Sequence, residues 1–99
     1  MRRAAKIDDN HREICACLRD IPGVSVADTS GAGAGFPDIV VGFRNQNWLI
    51  EIKDGAKCKS RRRLTPAQVK FHQNWTGQIA VCKNLDEILC LLKVSKVPA

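Results

Sequence analysis

The stretch 35–53, GFPDIVVGFRNQNWLIEIK, limits what this chain can fold into more than any other segment. Two short apolar runs, IVVGF at 39–43 and WLIEI at 48–52, stand on either side of the polar tetrad Arg44-Asn45-Gln46-Asn47. Runs of that length, rich in Val and Ile and split by turn-forming residues, predict a β-hairpin. The hairpin also carries Asp38, Glu51 and Lys53, three charges where a buried sheet would hold none.

Strand parity sets where those charges point. Side chains alternate faces along a strand, so Glu51 and Lys53 share one face while Ile50 and Ile52 take the other. A two-residue turn at Asn45-Gln46 would oppose Val40 to Glu51 and Asp38 to Lys53. A four-residue loop would shift the register by two and set Asp38 directly across from Glu51. Either register brings Asp38, Glu51 and Lys53 onto one face within roughly 5–8 Å at Cβ. A loop with an odd count would separate them.

Two carboxylates at that spacing suit one hard divalent cation. Mg²⁺ or Mn²⁺ takes oxygen ligands and keeps waters that a phosphate or a nucleophile can use or displace. An ammonium beside the ion can stabilise charge developing on a phosphoryl group or help to activate an attacking water. Asp38 and Glu51 are therefore candidate metal ligands, and Lys53 a candidate catalytic cation. The alternative is an Asp–Lys cross-strand ion pair with an edge-strand Glu.

The rest of the chain supplies a frame for this hairpin. Its 99 residues, 44% hydrophobic and 26% charged, suit a single globular domain spanning 1–99. No apolar run approaches the ~20 residues of a membrane span. The basic start, Met-Arg-Arg-Ala-Ala-Lys, leads into no hydrophobic signal region, so a cytoplasmic protein is expected. Five scattered cysteines without a Cys-x-x-Cys pair read as reduced, mostly buried thiols. A zinc site from His11, Cys15 and Cys17 is the disfavoured alternative, and His11 and His72 are expected at the surface or in a groove.

The net charge is +6 and unevenly spread. Residues 1–50 hold six Lys/Arg against six Asp/Glu, whereas residues 51–99 hold ten against four. Six of those ten lie between Lys53 and Arg63, opposed only by Asp54. A basic segment directly after the acidic strand suits contact with a phosphate backbone. Lys57, Lys59, Arg61, Arg62, Arg63 and Lys70 are the candidate DNA-binding residues.

Ile7, Ile14, Leu18 and Ile21 recur at helical spacing, which predicts a first helix over about 8–20, ended by Pro22-Gly23. A short strand follows at 24–27. The Gly-x-Gly-x-Gly at 31–35 precedes a strand rather than a helix, so it reads as a flexible connection rather than a nucleotide loop. Thr65-Pro-Ala-Gln68 is a capping box that opens a helix running to Trp75 and stopping at Gly77. A fourth strand is expected at 78–82. A second capping box, Asn84-Leu-Asp-Glu87, opens a last helix over 85–93. The order is αβββαβα, an α/β domain with helices against a sheet.

Pro37-Asp38 followed by Glu51-Ile52-Lys53 resembles the signature of the PD-(D/E)XK nucleases. Gly35-Phe-Pro-Asp38 together with Leu64-Thr-Pro-Ala-Gln68 resembles the small virus-type replication-repair branch, VRR-Nuc. The resemblance covers about residues 10 to 83. It implies a restriction-endonuclease-like core with a mixed central sheet flanked by helices. It also implies that Glu13, on the first helix, and the Ile52 carbonyl assist Asp38 and Glu51 at the metal, and that Gln68 lies near the reacting phosphate. The activity implied is a Mg²⁺- or Mn²⁺-dependent, structure-specific DNA endonuclease acting on branched DNA such as four-way junctions or flaps. Sequence-tolerant trimming of DNA ends and a non-cutting DNA-binding module are the alternatives. A homodimer is expected, because the last helix is apolar on more than one side (Leu85, Ile88, Leu89, Cys90, Leu91, Leu92) and because a four-way junction needs two matched incisions.

Overall fold

The fold comes from a computed structural model, which describes residues 10–58 and 63–94. Its elements are α1 (His11–Arg19), β1 (Val24–Asp28), β2 (Ile39–Phe43), β3 (Gln46–Ile52), α2 (Pro66–Asn74), β4 (Ile79–Cys82) and α3 (Leu85–Leu92). The four strands form one mixed sheet in the order β1-β2-β3-β4. The first three run antiparallel, and β4 joins β3 in parallel. The α/β class and the predicted element order are both present.

The hairpin turn sits one residue earlier than Asn45-Gln46. Phe43 pairs with Gln46, so Arg44 and Asn45 make the turn, with φ of 53° and 64°. Two successive left-handed residues match the twist of the flanking strands, as in a type I′ turn. Arg44 adds a cation over the Phe43 ring at 4.8 Å. The resulting register pairs Ile39 with Ile50. Continued by one residue, it sets Asp38 across from Glu51, the register expected of a four-residue loop but reached with two.

That register divides the sheet into two unlike faces. On one face Ile39, Val41, Ile50, Ile52 and Cys82 bury themselves against Ile14, Cys15 and Leu18 of α1 and Ile88 and Leu92 of α3. This is the hydrophobic core. The other face carries Leu49 and Glu51, with α2 lying over it. Among the described residues no helix is long and apolar enough to cross a membrane.

Helix α1 turns His11, Ile14, Cys15 and Leu18 inward. His11 is buried rather than superficial, and its Nε2 lies 3.3 Å from Asp28 Oδ2. Asp28 Oδ1 in turn accepts from the Ser30 amide and hydroxyl at 2.9 and 2.6 Å, which holds its carboxyl below the usual range. Ile7, Asp8 and the remaining residues of 1–9, like 95–99, lie outside the described residues.

Helix α3 begins with half of the expected capping box. The Glu87 amide donates to Asn84 Oδ1 at 2.9 Å, but Glu87 Oε1 accepts from the Lys83 amide at 2.7 Å rather than from Asn84. Its apolar residues are mostly used within the chain. Ile88 and Leu92 are buried, and Leu85, Leu89 and Leu91 pack partly against the core. Part of the apolar surface that suggested a dimer through α3 is thus packed within the chain, while Cys90 stays exposed. The exposed large apolar side chains among the described residues are Val69, Trp75 and Val81.

The glycine-bearing connection before β2 is tied down. Thr29 donates through its amide to the Asp38 carbonyl at 2.8 Å and through its hydroxyl to the Pro37 carbonyl at 2.7 Å. Turn hydrogen bonds join Ala32 to Thr29 and Phe36 to Gly33. Gly35, at φ +79°, lies so close to α2 that a Cβ would run into the Ala67 carbonyl oxygen. This glycine therefore serves helix docking. Gly35→Ala is expected to destabilise the fold by about 1–3 kcal/mol, by combining left-handed strain with a backbone clash. Hydrogen exchange should show protection lost first in α2, with the β2–β3 amides still protected. Unchanged α2 protection would contradict that docking role.

Candidate active site

Two paired strands bring three charged side chains into one small cluster. Asp38 stands at the entry to β2, Glu51 near the end of β3, and Lys53 directly after it. All three are buried, with 9%, 2% and 9% of their surface exposed. Asp38 is pinned across the hairpin, its Oδ2 accepting from the Ile52 amide at 2.8 Å. Lys53 is anchored by its own amide, which donates to the Cys82 carbonyl at 3.0 Å. Its Nζ then reaches Glu51 Oε2 at 3.6 Å.

Gln68 joins them from the opposite element. The capping box of α2 is complete: the Gln68 amide donates to Thr65 Oγ1, and Gln68 Oε1 accepts from the Thr65 amide at 2.8 Å. That bond uses the side-chain oxygen and leaves the amide nitrogen free to turn toward the sheet. Gln68 Nε2 donates to Glu51 Oε2 at 2.9 Å. One side chain thus both caps the helix and fixes its position over the acidic pair.

Electrostatics follow from this crowding. Burial raises the Glu51 carboxyl first, and the neighbouring Asp38 carboxylate raises it further. Lys53 opposes the shift, but the result is still a carboxyl pushed up to about 8. Two carboxyls brought together out of water favour holding one proton between them. Glu51 Oε1 is buried with no hydrogen-bond partner. A buried acceptor without a donor is costly, and a cation would satisfy it.

The expected ligand set is met only in part. Among the described residues no three His, Cys, Asp or Glu side chains come together as a group that could hold a metal. Glu13 therefore does not complete the acidic pair as expected. It lies on the exposed side of α1, because its helical position falls away from the inward stripe of His11, Ile14, Cys15 and Leu18. His11, Cys15 and Cys17 likewise do not form such a group. Ile52 was expected to act through its carbonyl, whereas the contact seen is its N–H on Asp38.

Of the basic candidates, Lys57 is half-buried in the turn after β3, where its amide donates to the Asp54 carbonyl at 3.0 Å. Arg63 and Lys70 are exposed. Lys59, Arg61 and Arg62 lie outside the described residues. No protein-family profile, curated protein sequence or solved structure matches this chain.

The raised Glu51 carboxyl has a thermodynamic consequence. A carboxyl whose folded pKa exceeds its unfolded value binds more protons when folded, so stability falls as pH rises between the two values. For Glu51 that window runs from the ordinary 4.5 to about 8. Glu51→Gln removes the buried charge without changing shape. In the absence of divalent ions it should melt a few degrees above the unsubstituted protein at pH 8.5, with the gap closing by pH 5. A variant that is less stable at pH 8.5 would contradict this description of the pair.

Proposed function

We propose that the chain is a Mg²⁺- or Mn²⁺-dependent DNA endonuclease of the PD-(D/E)XK type, in its VRR-Nuc branch, acting on branched DNA. The observation that carries this reading is the buried pair Asp38–Glu51, with Lys53 Nζ 3.6 Å from Glu51 and one Glu51 oxygen without a partner. The mixed four-stranded sheet flanked by helices agrees with a restriction-endonuclease-like core.

The donor set fits a hard divalent ion. Mg²⁺ is commonly held by one or two carboxylates, with waters and substrate phosphate filling the other positions, so a third protein carboxylate is not required. Asp38 and Glu51 would hold the ion. When bound, it would polarise the scissile phosphate and lower the pKa of water.

The chain's own residues do the rest. Hydrolysis forms a bond from a water oxygen to phosphorus and breaks the bond to the leaving oxygen, which takes up a proton. Negative charge grows on the phosphoryl oxygens during that exchange. Lys53, with three donors and an ion pair to Glu51 at 3.6 Å, would stabilise that charge or orient the water. Gln68 keeps Glu51 Oε2 engaged, so Oε1, buried without a partner, is the oxygen that would be left for an ion. The basic segment 57–63 and Lys70 would hold the phosphate backbone without reading sequence.

A pure DNA binder gains nothing from two buried carboxyls beside phosphates, because each repels the ligand. Cleavage of labelled single-stranded, duplex, flap and four-way DNA in Mg²⁺ and Mn²⁺ separates the classes. The unsubstituted protein should cut branched substrates fastest. Asp38→Ala, Glu51→Ala and Lys53→Ala should each lower the rate at least about a hundredfold, with DNA binding retained. No cleavage of any substrate in either ion would overturn the reading. Near-normal cleavage by Lys53→Ala would remove that residue's role alone.

A further inference from the structure

A cavity of about 460 Å³ opens beside α2, lined by Ala34, Ala67, Lys70, Phe71, Asn74 and Trp75. Positions 67, 70, 71 and 74 repeat at the spacing of one helical stripe. In most helices such a stripe would be core. Here α2 contains no buried residue, and Trp75 is 41% exposed.

The aromatic groups along this stripe are ordered. Phe36 meets Phe71 edge-on, with centroids 5.2 Å apart at 67°. Phe71 and Trp75 then stack at 5.3 Å and 15°. Gly77 leaves room for the indole, because a Cβ there would lie 2.9 Å from Trp75 Nε1. The result is a fixed aromatic surface, supported from behind and open to solvent, with a lysine on its rim.

We propose that this cleft is a stacking platform for an unpaired nucleobase of the DNA strand being cut. The inference rests on the nuclease reading above and narrows its substrate class. A flat aromatic face accepts any base, because every base has a π-face, and a base within an intact duplex has none to offer. Lys70 supplies the charge complementary to the adjoining phosphate, and Asn74 offers an amide donor and acceptor to a base edge. The platform also lies beside the chemistry. Gln68, which holds Glu51, is seven residues before Trp75, about 10 Å along the helix. An unpaired nucleotide a few positions from the scissile phosphate would reach it, which favours flaps and junctions with open bases over perfect duplex.

The test is binding without divalent ions, so that no strand is cut. The probe is a short duplex with one unpaired 2-aminopurine, set beside a fully matched duplex. Binding to the unsubstituted protein should quench the 2-aminopurine, and affinity should favour the open duplex. Trp75→Ala should abolish most of the quenching and reduce the preference for the open duplex by about tenfold or more. Trp75→Phe, which keeps a flat ring, should restore part of both. Gly77→Ala, which displaces the indole, should behave more like Trp75→Ala. Quenching and preference unchanged in Trp75→Ala would overturn the proposal. So would sedimentation showing that Trp75→Ala converts a dimer to a monomer, since the surface would then belong to a second copy. Quenching that depends on Trp75, in a protein that cuts no DNA in Mg²⁺ or Mn²⁺, would overturn the nuclease reading and leave the platform standing.

Discussion

The burial of Glu51 beside Asp38 is the interaction on which the rest of this structure depends. Two carboxyls out of water repel each other, and only hydrogen bonds, a cation or a shared proton can make the arrangement tolerable. The chain surrounds the pair with such groups. The Ile52 amide holds Asp38, while Gln68 and Lys53 converge on one oxygen of Glu51. The other oxygen is left without a partner. An ordinary core would not keep such a group, since apolar residues of similar volume would serve stability as well or better.

Placing the pair requires a divided sheet. One face is buried against α1 and α3 and supplies the hydrophobic stability. The other is covered thinly by α2, which buries no residue of its own and is fastened by a few specific contacts. These are Gln68 on Glu51, Phe71 against Phe36, and the close approach of Gly35 to Ala67. Val81, next to Glu51 in the β3–β4 register, remains 39% exposed. A thinly covered face suits the proposed nuclease site, which would have to admit a large polyanion.

Much of this was legible in the sequence, and for physical reasons. Apolar period and turn chemistry predicted the hairpin, and parity alone placed Asp38, Glu51 and Lys53 together. Thr65-Pro-Ala-Gln68 announced the start of α2 through its capping pattern. The turn itself was not legible to one residue, because Arg44 gives no hint that it accepts a left-handed backbone. The outward position of Glu13 was not legible either, because it follows the helical phase that buries His11. That burial depends on Asp28, a partner 17 residues away that no local pattern discloses. The same holds for α2 and α3. Both carry apolar side chains, yet α2 buries none of its own while α3 buries Ile88 and Leu92, because the available sheet surface decides which side chains are covered.

The most direct measurement is the binding of Mn²⁺ itself, followed by the loss of the free-ion paramagnetic resonance signal at pH 8. One ion per chain should bind, with affinity falling toward pH 6 as Glu51 regains its proton, and Asp38→Asn should abolish binding while leaving the fold intact. Mn²⁺ that stays free at millimolar concentration, or that binds equally well to Asp38→Asn, would contradict a metal site built on the buried carboxyl pair.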